Sequence, residues 1–408
     1  MDHIYTRQYY IDKIRGFYHS DLIKVITGIR RCGKSCFILS VMEDLKSKGV
    51  AEKDILYLNL DKREYRKIKT PDALDAAIEA LITDGDYKYL FIDEVQNVIG
   101  FEEVINGFRE EGNISIFITG SNSYLLSGEL STKLTGRYIE IEMFTLNFRE
   151  YLEMKKFFGK EIKANTIEEL NEYIRFGGFP KVLEFDDPAD KEMYITEVIS
   201  QILDKDVVKH RKIRNRVVFD KVMTYVINNF GATMSLSAIA GYFEKQENVV
   251  IKPETLNNYL QILENAKIIY KCPRFDVKSK KSLRGEQKYY LADLGIYFSR
   301  NVDARINYGP VLENIVYTYL SAKNYKISVG RVGKLECDFI TRTKDEYRYI
   351  QVAMTIMSPE TEEREYKPLQ AIRDNYPKYL LTIDPLLQKR DGVIHKNIVQ
   401  FISNDEDL

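Results

Sequence analysis

The chain of 408 residues balances 60 Lys and Arg against 61 Asp and Glu, a formal charge of −1, with 44% hydrophobic and 30% charged residues. That is the composition of a globular protein with room for two to four domains, and it excludes nucleic-acid binding through the field of the whole chain, so any polyanion contact must rest on local patches. No run of about 18 uncharged apolar residues occurs, the start Met1-Asp2-His3-Ile4-Tyr5-Thr6-Arg7 lacks a signal-peptide core, and Cys32, Cys36, Cys272 and Cys337 are too scattered for a disulfide framework or zinc site; a cytoplasmic protein without membrane contact is expected.

A predicted strand over residues 22–27 runs into Gly28-Ile29-Arg30-Arg31-Cys32-Gly33-Lys34-Ser35, a complete G-x-x-x-x-G-K-[ST] loop, and an apolar helix follows through Cys36-Phe37-Ile38-Leu39. In that context the loop binds a nucleoside triphosphate. Gly28 and Gly33 let the backbone turn so that N–H groups from Gly28 through Cys36 surround phosphate oxygens, and the helix from Lys34 points its positive end at them. ATP is the expected ligand, with Lys34 on the β and γ phosphates and the Ser35 hydroxyl on Mg²⁺.

Further strands are predicted over 55–60, 87–92, 114–119 and 138–143, alternating with helical or loop segments, which argues for a parallel sheet covered on both faces. The strand at 87–92 is a continuous apolar run ending in Asp93-Glu94, where open α/β sheets hold their ligands. Asp93 is expected on Mg²⁺ and Glu94 on the attacking water. An acidic strand end alone is a weak signal; after a phosphate loop and one intervening βα unit it is a specific one. The strand at 114–119 ends in Gly120-Ser121-Asn122. Ser121 or Asn122 could fix the hydrolytic water, or Ser121 or Ser123 could cap a helix, and neither role excludes the other. Arg137, at the start of the fifth strand, fits a surface arginine and equally an arginine completing a neighbouring subunit's site, the second on fold analogy alone.

From residue 148 the pattern becomes helical. An amphipathic helix over 168–176 stops at Gly177-Gly178-Phe179-Pro180 and suggests a lid near the nucleotide. The basic run from Lys209 to Arg216 reads as a solvated linker or as a phosphate contact. Residues 217–290 fit a winged helix-turn-helix, with helices at 236–243 and 253–263, strands at 268–277 and 288–291, and a basic tip at 278–284. Its second helix offers Asn257, Asn258 and Gln261 without a cation, which favours a structural or protein-contact role over sequence-specific reading of DNA.

Taken together, the phosphate loop, Phe91-Ile92-Asp93-Glu94-Val95-Gln96, Ile118-Thr119-Gly120-Ser121-Asn122-Ser123, Leu134-Thr135-Gly136-Arg137, Phe144-Thr145-Leu146-Asn147-Phe148-Arg149-Glu150-Tyr151, Gly177-Gly178-Phe179-Pro180 and Lys288-Tyr289-Tyr290-Leu291-Ala292-Asp293-Leu294-Gly295 give the chain a family resemblance. It resembles prokaryotic AAA+ type (P-loop) ATPases in which the nucleotide domain is followed by a winged helix and a restriction-endonuclease-like domain of unknown function. The resemblance implies an α/β P-loop ATPase domain with a parallel sheet at 1–150, a helical lid at 151–216, the winged helix at 217–300 and a PD-(D/E)xK-like α/β domain at 301–408. In that last domain Glu313 and Asp338 match the metal-binding carboxylates, whereas Gln351 and Ala353 stand where a second acid and the lysine belong, so a domain that binds DNA or protein without cutting is expected. The expected function is Mg²⁺-dependent ATP hydrolysis driving or gating this C-terminal binding module, in a homo-oligomer if Arg137 acts between subunits. The alternative is an ATP-gated DNA-binding or DNA-processing protein with residual nuclease activity.

Overall fold

A computed structural model of the chain describes residues 4–408 except 121–133, 135, 205–212, 214, 302–304 and 344–345. Two compact units emerge, Met1–Phe144 with Asn265–Lys267, and Thr145–Glu264 with Ile268–Leu408.

In the first unit, β1 (Ile23–Gly28), β2 (Ile55–Asn59), β3 (Lys88–Asp93), β4 (Ile114–Thr119) and β5 (Tyr138–Met143) form a parallel sheet in the order β2-β3-β4-β1-β5. β1, β3 and β4 are buried at every position, which is why their sequences are nearly unbroken apolar runs, while the edge strand β5 alternates. Helices α1 (Gln8–Arg15), α2 (Lys34–Ser47), α3 (Pro71–Glu79) and α4 (Phe101–Glu111) complete the unit. α3 starts where Thr70 accepts the Ala73 N–H and Pro71 supplies a preset first position. Val25, Leu58, Leu90, Ile92, Ile116 and Ile118 from the sheet pack with Leu74, Ile78, Ile105 and Phe108 from the helices in one core. The order β3-β4-β1 matters for function, because it sets the ends of three neighbouring strands, Asp93, Thr119 and Gly28, along one carboxyl edge.

The second unit opens with α5 (Phe148–Phe157), α6 (Thr166–Phe176), α7 (Pro188–Ile202), α8 (Arg216–Asn228), α9 (Leu236–Gln246) and α10 (Pro253–Asn265). α5 begins with a reciprocal capping box, Asn147 with Glu150. α6 ends at Gly177, whose φ of 73° favours glycine, and a Cβ there would also lie 1.8 Å from Asp293 Oδ1. Asp293 is buried and accepts the N–H groups of Gly178 and Gly295, each at 2.8 Å, and burial pushes its carboxyl up to about 6. The Gly-Gly turn is therefore more than a helix stop: it is the space into which Asp293 fits.

Beyond α10, β7 (Ile269–Asp276) and β8 (Lys281–Leu291) form the antiparallel pair expected as a wing. On its other edge, however, β7 pairs with β9 (Lys326–Val332) in parallel, Arg274 opposite Val329. The pair is thus part of one nine-stranded mixed sheet with β6 (Thr233–Met234), β10 (Leu335–Arg342), β11 (Tyr347–Val352), β12 (Lys378–Thr382), β13 (Lys389–Arg390) and β14 (Val393–Asn397). No break between units falls at residue 300, because these ladder hydrogen bonds cross it. Helices α11 (Gly295–Phe298), α12 (Tyr308–Ala322), α13 (Pro359–Ala371) and α14 (Ile398–Ser403) accompany the sheet. Among the described residues no helix is long and apolar enough to cross a membrane.

Candidate nucleotide site

The loop between β1 and α2 has the geometry of an anion cradle. Gly28 (φ 138°), Arg31 (φ 70°) and Gly33 (φ 104°) all adopt positive φ, the alternation that turns successive N–H groups to one side. Gly28 has a second reason to lack a side chain, since a Cβ there would sit 2.2 Å from the Met143 carbonyl oxygen at the end of β5. Ile29 and Cys32 are buried, Arg30 and Ser35 half-buried, and Arg31 and Cys36 exposed. Lys34 is buried, and its ammonium donates to the carbonyls of Gly28 (3.0 Å) and Ile29 (3.1 Å) across the inside of the loop.

Asp93 is held from three sides. Thr119 Oγ1 donates to its Oδ1, while Asn59 Nδ2 (3.2 Å) and Tyr57 OH (3.5 Å) reach its Oδ2. The phenol of Tyr57 is pushed up to about 12, first by burial and then by Asp93. Thr119 Oγ1 also accepts the Glu94 N–H at 3.0 Å, so one hydroxyl positions both acidic residues. Glu94 itself takes a left-handed backbone (φ 57°), uncommon for a residue with a side chain, and its carboxylate receives the Gln96 amide. Burial pushes the Glu94 carboxyl up, opposed by Lys34, Gln96 and Arg30.

Thr119, Asn59, Tyr57 and Gln96 were given no site role by the sequence, although Thr119 and Gln96 fall in the motifs that carry the resemblance and Tyr57 and Asn59 in a strand that the sequence did predict. Ser121 lies outside the described residues, as do Asn122, Ser123 and residues 209–212 and 214 of the basic run. Arg137 is described, and it stands apart from the loop: the register pairs Ile23 with Tyr138 and Gly28 with Met143, which puts Arg137 at the opposite end of the strands, about 20 Å away at the usual rise. There it donates to Asn106 (3.1 Å) and pairs with Glu110 (3.6 Å), both on α4.

The second unit gathers the other expected residues. Glu313, Asp338, Gln351 and Ala353 line a cavity of about 420 Å³ together with Arg364 and Glu365. The sequence anticipated neither Arg364 and Glu365 in its lining nor Lys288, which lies against two of the lining carboxylates. Lys288, from β8, reaches Glu313 (2.9 Å), Glu336 (3.0 Å) and Asp338 (3.9 Å). Glu365, from α13, accepts the Gln351 amide at 2.8 Å. A lysine and a carboxylate missing from β11 therefore arrive from other elements. Burial and the neighbouring Glu313 push the Asp338 carboxyl up; burial pulls the Lys288 ammonium down, but the three carboxylates outweigh it and push it up.

A cradle of this form at the carboxyl edge of a parallel β2-β3-β4-β1-β5 sheet defines a P-loop protein of the AAA type, and the sequence pattern of the AAA domain matches residues 20–152. A Domain of unknown function (DUF8612) matches residues 167–303. An uncharacterized protein of Haemophilus influenzae is 35% identical over 379 residues, covering 92% of this chain and 93% of its own, and one of Methanocaldococcus jannaschii is 32% identical, covering 86% and 79%. The chain belongs to the same family as these two proteins. The Walker-type ATPase of Pyrococcus abyssi shares the fold, with a TM-score of 0.50 and 14% identity over 72% of this chain and 94% of its own.

Proposed function

We propose that the protein is an Mg²⁺-dependent ATPase whose nucleotide state gates a binding module for nucleic acid or protein in the second unit. The supporting observation is the convergence of Lys34, Asp93 and Glu94 on one sheet edge, with each acidic residue held by Thr119. Lys34 is the group that reads phosphate: it now rests on two neutral carbonyls, an arrangement it can exchange for the β and γ oxygens of ATP without breaking an ion pair. The Ser35 hydroxyl and the Asp93 carboxylate are hard oxygen donors that suit Mg²⁺. Bound there, Mg²⁺ would offset charge on the phosphates. Glu94 orients the attacking water and takes its proton, and Ser121 assists in fixing that water. Arg137 contributes to a neighbour's phosphates in a homo-oligomer, since its end of the sheet cannot serve its own loop.

The test is Lys34→Ala, which should weaken ATP binding at least about tenfold, the equivalent of about 1.4 kcal/mol, and silence turnover. Unchanged nucleotide affinity would dismiss the reading. Mixing Arg137→Ala with Lys34→Ala then asks whether activity returns when an intact loop and an intact arginine sit in different subunits.

One observation favours a second reading. Lys288 lies among Glu313, Asp338 and Glu336, so the objection that the unit lacks a lysine no longer holds. DNA processing with residual nuclease activity would show as Mg²⁺- or Mn²⁺-dependent cleavage that disappears in Asp338→Ala.

A further inference from the structure

The phosphate loop is also held from outside, by a residue 21 positions before it in sequence. Arg7, just ahead of α1, is 6% exposed, and its Nη1 donates both to the Phe144 carbonyl at 2.6 Å and to the Cys32 carbonyl at 3.4 Å. Its guanidinium lies over the Tyr10 ring, 4.6 Å from the centroid, and the Tyr10 hydroxyl accepts the Phe144 N–H at 3.1 Å. The side chain thus bridges the loop and the end of the edge strand, the same two segments that meet where Gly28 faces the Met143 carbonyl.

The Cys32 contact has a directional consequence. The Cys32–Gly33 peptide is trans, so the Cys32 carbonyl and the Gly33 N–H point in opposite directions within one rigid plane. A donor fixed on the carbonyl therefore aims the N–H the other way, toward the side that Arg7 does not occupy. On its other side Gly33 is tied to α2, where its carbonyl accepts the Phe37 N–H at 2.9 Å, but glycine's permissive backbone leaves the Cys32–Gly33 peptide in need of a contact of its own. A buried guanidinium is well suited to this, being permanently charged, planar and stacked.

We infer that Arg7 is a positioning residue for nucleotide binding, which sets the Cys32–Gly33 peptide of the phosphate loop from behind so that the loop's donors are ordered before the phosphates arrive. This rests on the nucleotide-binding reading of the loop. It touches neither substrate nor metal, and it serves ATP and ADP alike, since both carry the phosphates that the loop surrounds.

The experiment measures Kd for fluorescent ATP and ADP analogues with the full chain and the variants Arg7→Met, Arg7→Lys and Tyr10→Phe, beside Lys34→Ala. Arg7→Met should raise both Kd values about five- to tenfold, with turnover at saturating ATP changed much less, the pattern of lost uniform binding. Arg7→Lys, which keeps the charge but not the planar stack, should fall between Arg7→Met and wild type. Tyr10→Phe removes a bond at the same seam without touching Cys32, and should bind as wild type; an equal loss there would mean that the seam merely holds the unit together and would overturn the assignment. Should Arg7→Met fail to fold, Arg7→Lys decides, and wild-type Kd values in it overturn the proposal. The outcomes separate cleanly: nucleotide binding that survives Lys34→Ala defeats the loop reading itself, whereas binding lost in Lys34→Ala but intact in the Arg7 variants defeats Arg7 alone.

Discussion

Two buried lysines, one in each unit, are treated in opposite ways by their surroundings. Lys34 is 5% exposed and rests on backbone carbonyls, while Lys288 is 4% exposed and faces three carboxylates. A cation satisfied only by neutral dipoles keeps its charge available for an arriving anion. A cation among carboxylates is already neutralised, and in turn permits those carboxylates to be buried. The contrast teaches that burial of a charge does not by itself mark a ligand site; the chemistry of the partners does. Lys34 should matter to the ligand and Lys288 to the fold.

Three substitutions can break or sharpen that contrast. The largest expected effect is on turnover: Glu94→Gln should leave ATP bound while hydrolysis falls by roughly two to four orders of magnitude, measured as steady-state phosphate release, because the amide can no longer take a proton from water. Turnover at the wild-type rate would move the base elsewhere. Next, Lys288→Met should destabilise the second unit by about 3–5 kcal/mol, the usual result of leaving buried carboxylates without their cation. Calorimetry should show the loss growing as pH rises above the ordinary carboxylate range, because the Asp338 carboxyl, pushed up by burial and Glu313, can relieve the repulsion only while it is protonated. If Lys288→Met melts like wild type while Lys34→Met melts early, the comparison is inverted.

Legibility from sequence follows the same division. The fifth strand was predicted over 138–143 and is found there, and the first differs from its prediction by one residue at each end. The loop and the Asp93-Glu94 pair are contiguous residues at strand ends, so local pattern was enough to bring them forward. The cavity of the second unit draws on α12, β10, β11 and α13, and the lysine beside its carboxylates stands 65 positions before Ala353, where one was sought. Nothing local in Lys288-Tyr289-Tyr290 says that β7 will pair with β9 and that Lys288 of β8 will reach Glu313 and Asp338. Arg7 escaped for the same reason, because its partners Cys32 and Phe144 lie 25 and 137 residues away. Periodicity identifies elements; it does not reveal which distant side chain fills the gap between two of them.

Another buried lysine extends the comparison and gives the smallest predicted effect. Lys24, on β1, is fully buried, and among the described residues its amine meets only the Ser20 carbonyl (2.9 Å), the Ser115 hydroxyl (2.7 Å) and the face of Phe117. Like Lys34 it has neutral partners, but it lies at the amino end of the strand, away from the phosphate loop, and so gains no anion. Burial accordingly pulls its pKa from 10.5 to about 7, opposed only by Asp21. Because the folded value lies below the unfolded one, the unfolded chain binds more protons between about pH 7 and pH 10, and stability contributed by this site should rise with pH across that window, with a slope approaching about 1.4 kcal/mol per unit. Below pH 7 both states are protonated and the full cost of burying the cation is felt. Lys24→Met keeps an apolar stem against Phe117 and leaves the Ser115 hydroxyl its bond to the Tyr18 carbonyl, at 2.7 Å. The variant should therefore be more stable than wild type at pH 7, and the gap should narrow toward pH 9.5, before tyrosine ionisation intervenes. Denaturant titrations at pH 6, 7, 8 and 9 check this, and a gap that stays constant or widens with pH would show that Lys24 remains charged in the fold and that its neutral partners are sufficient to hold a cation.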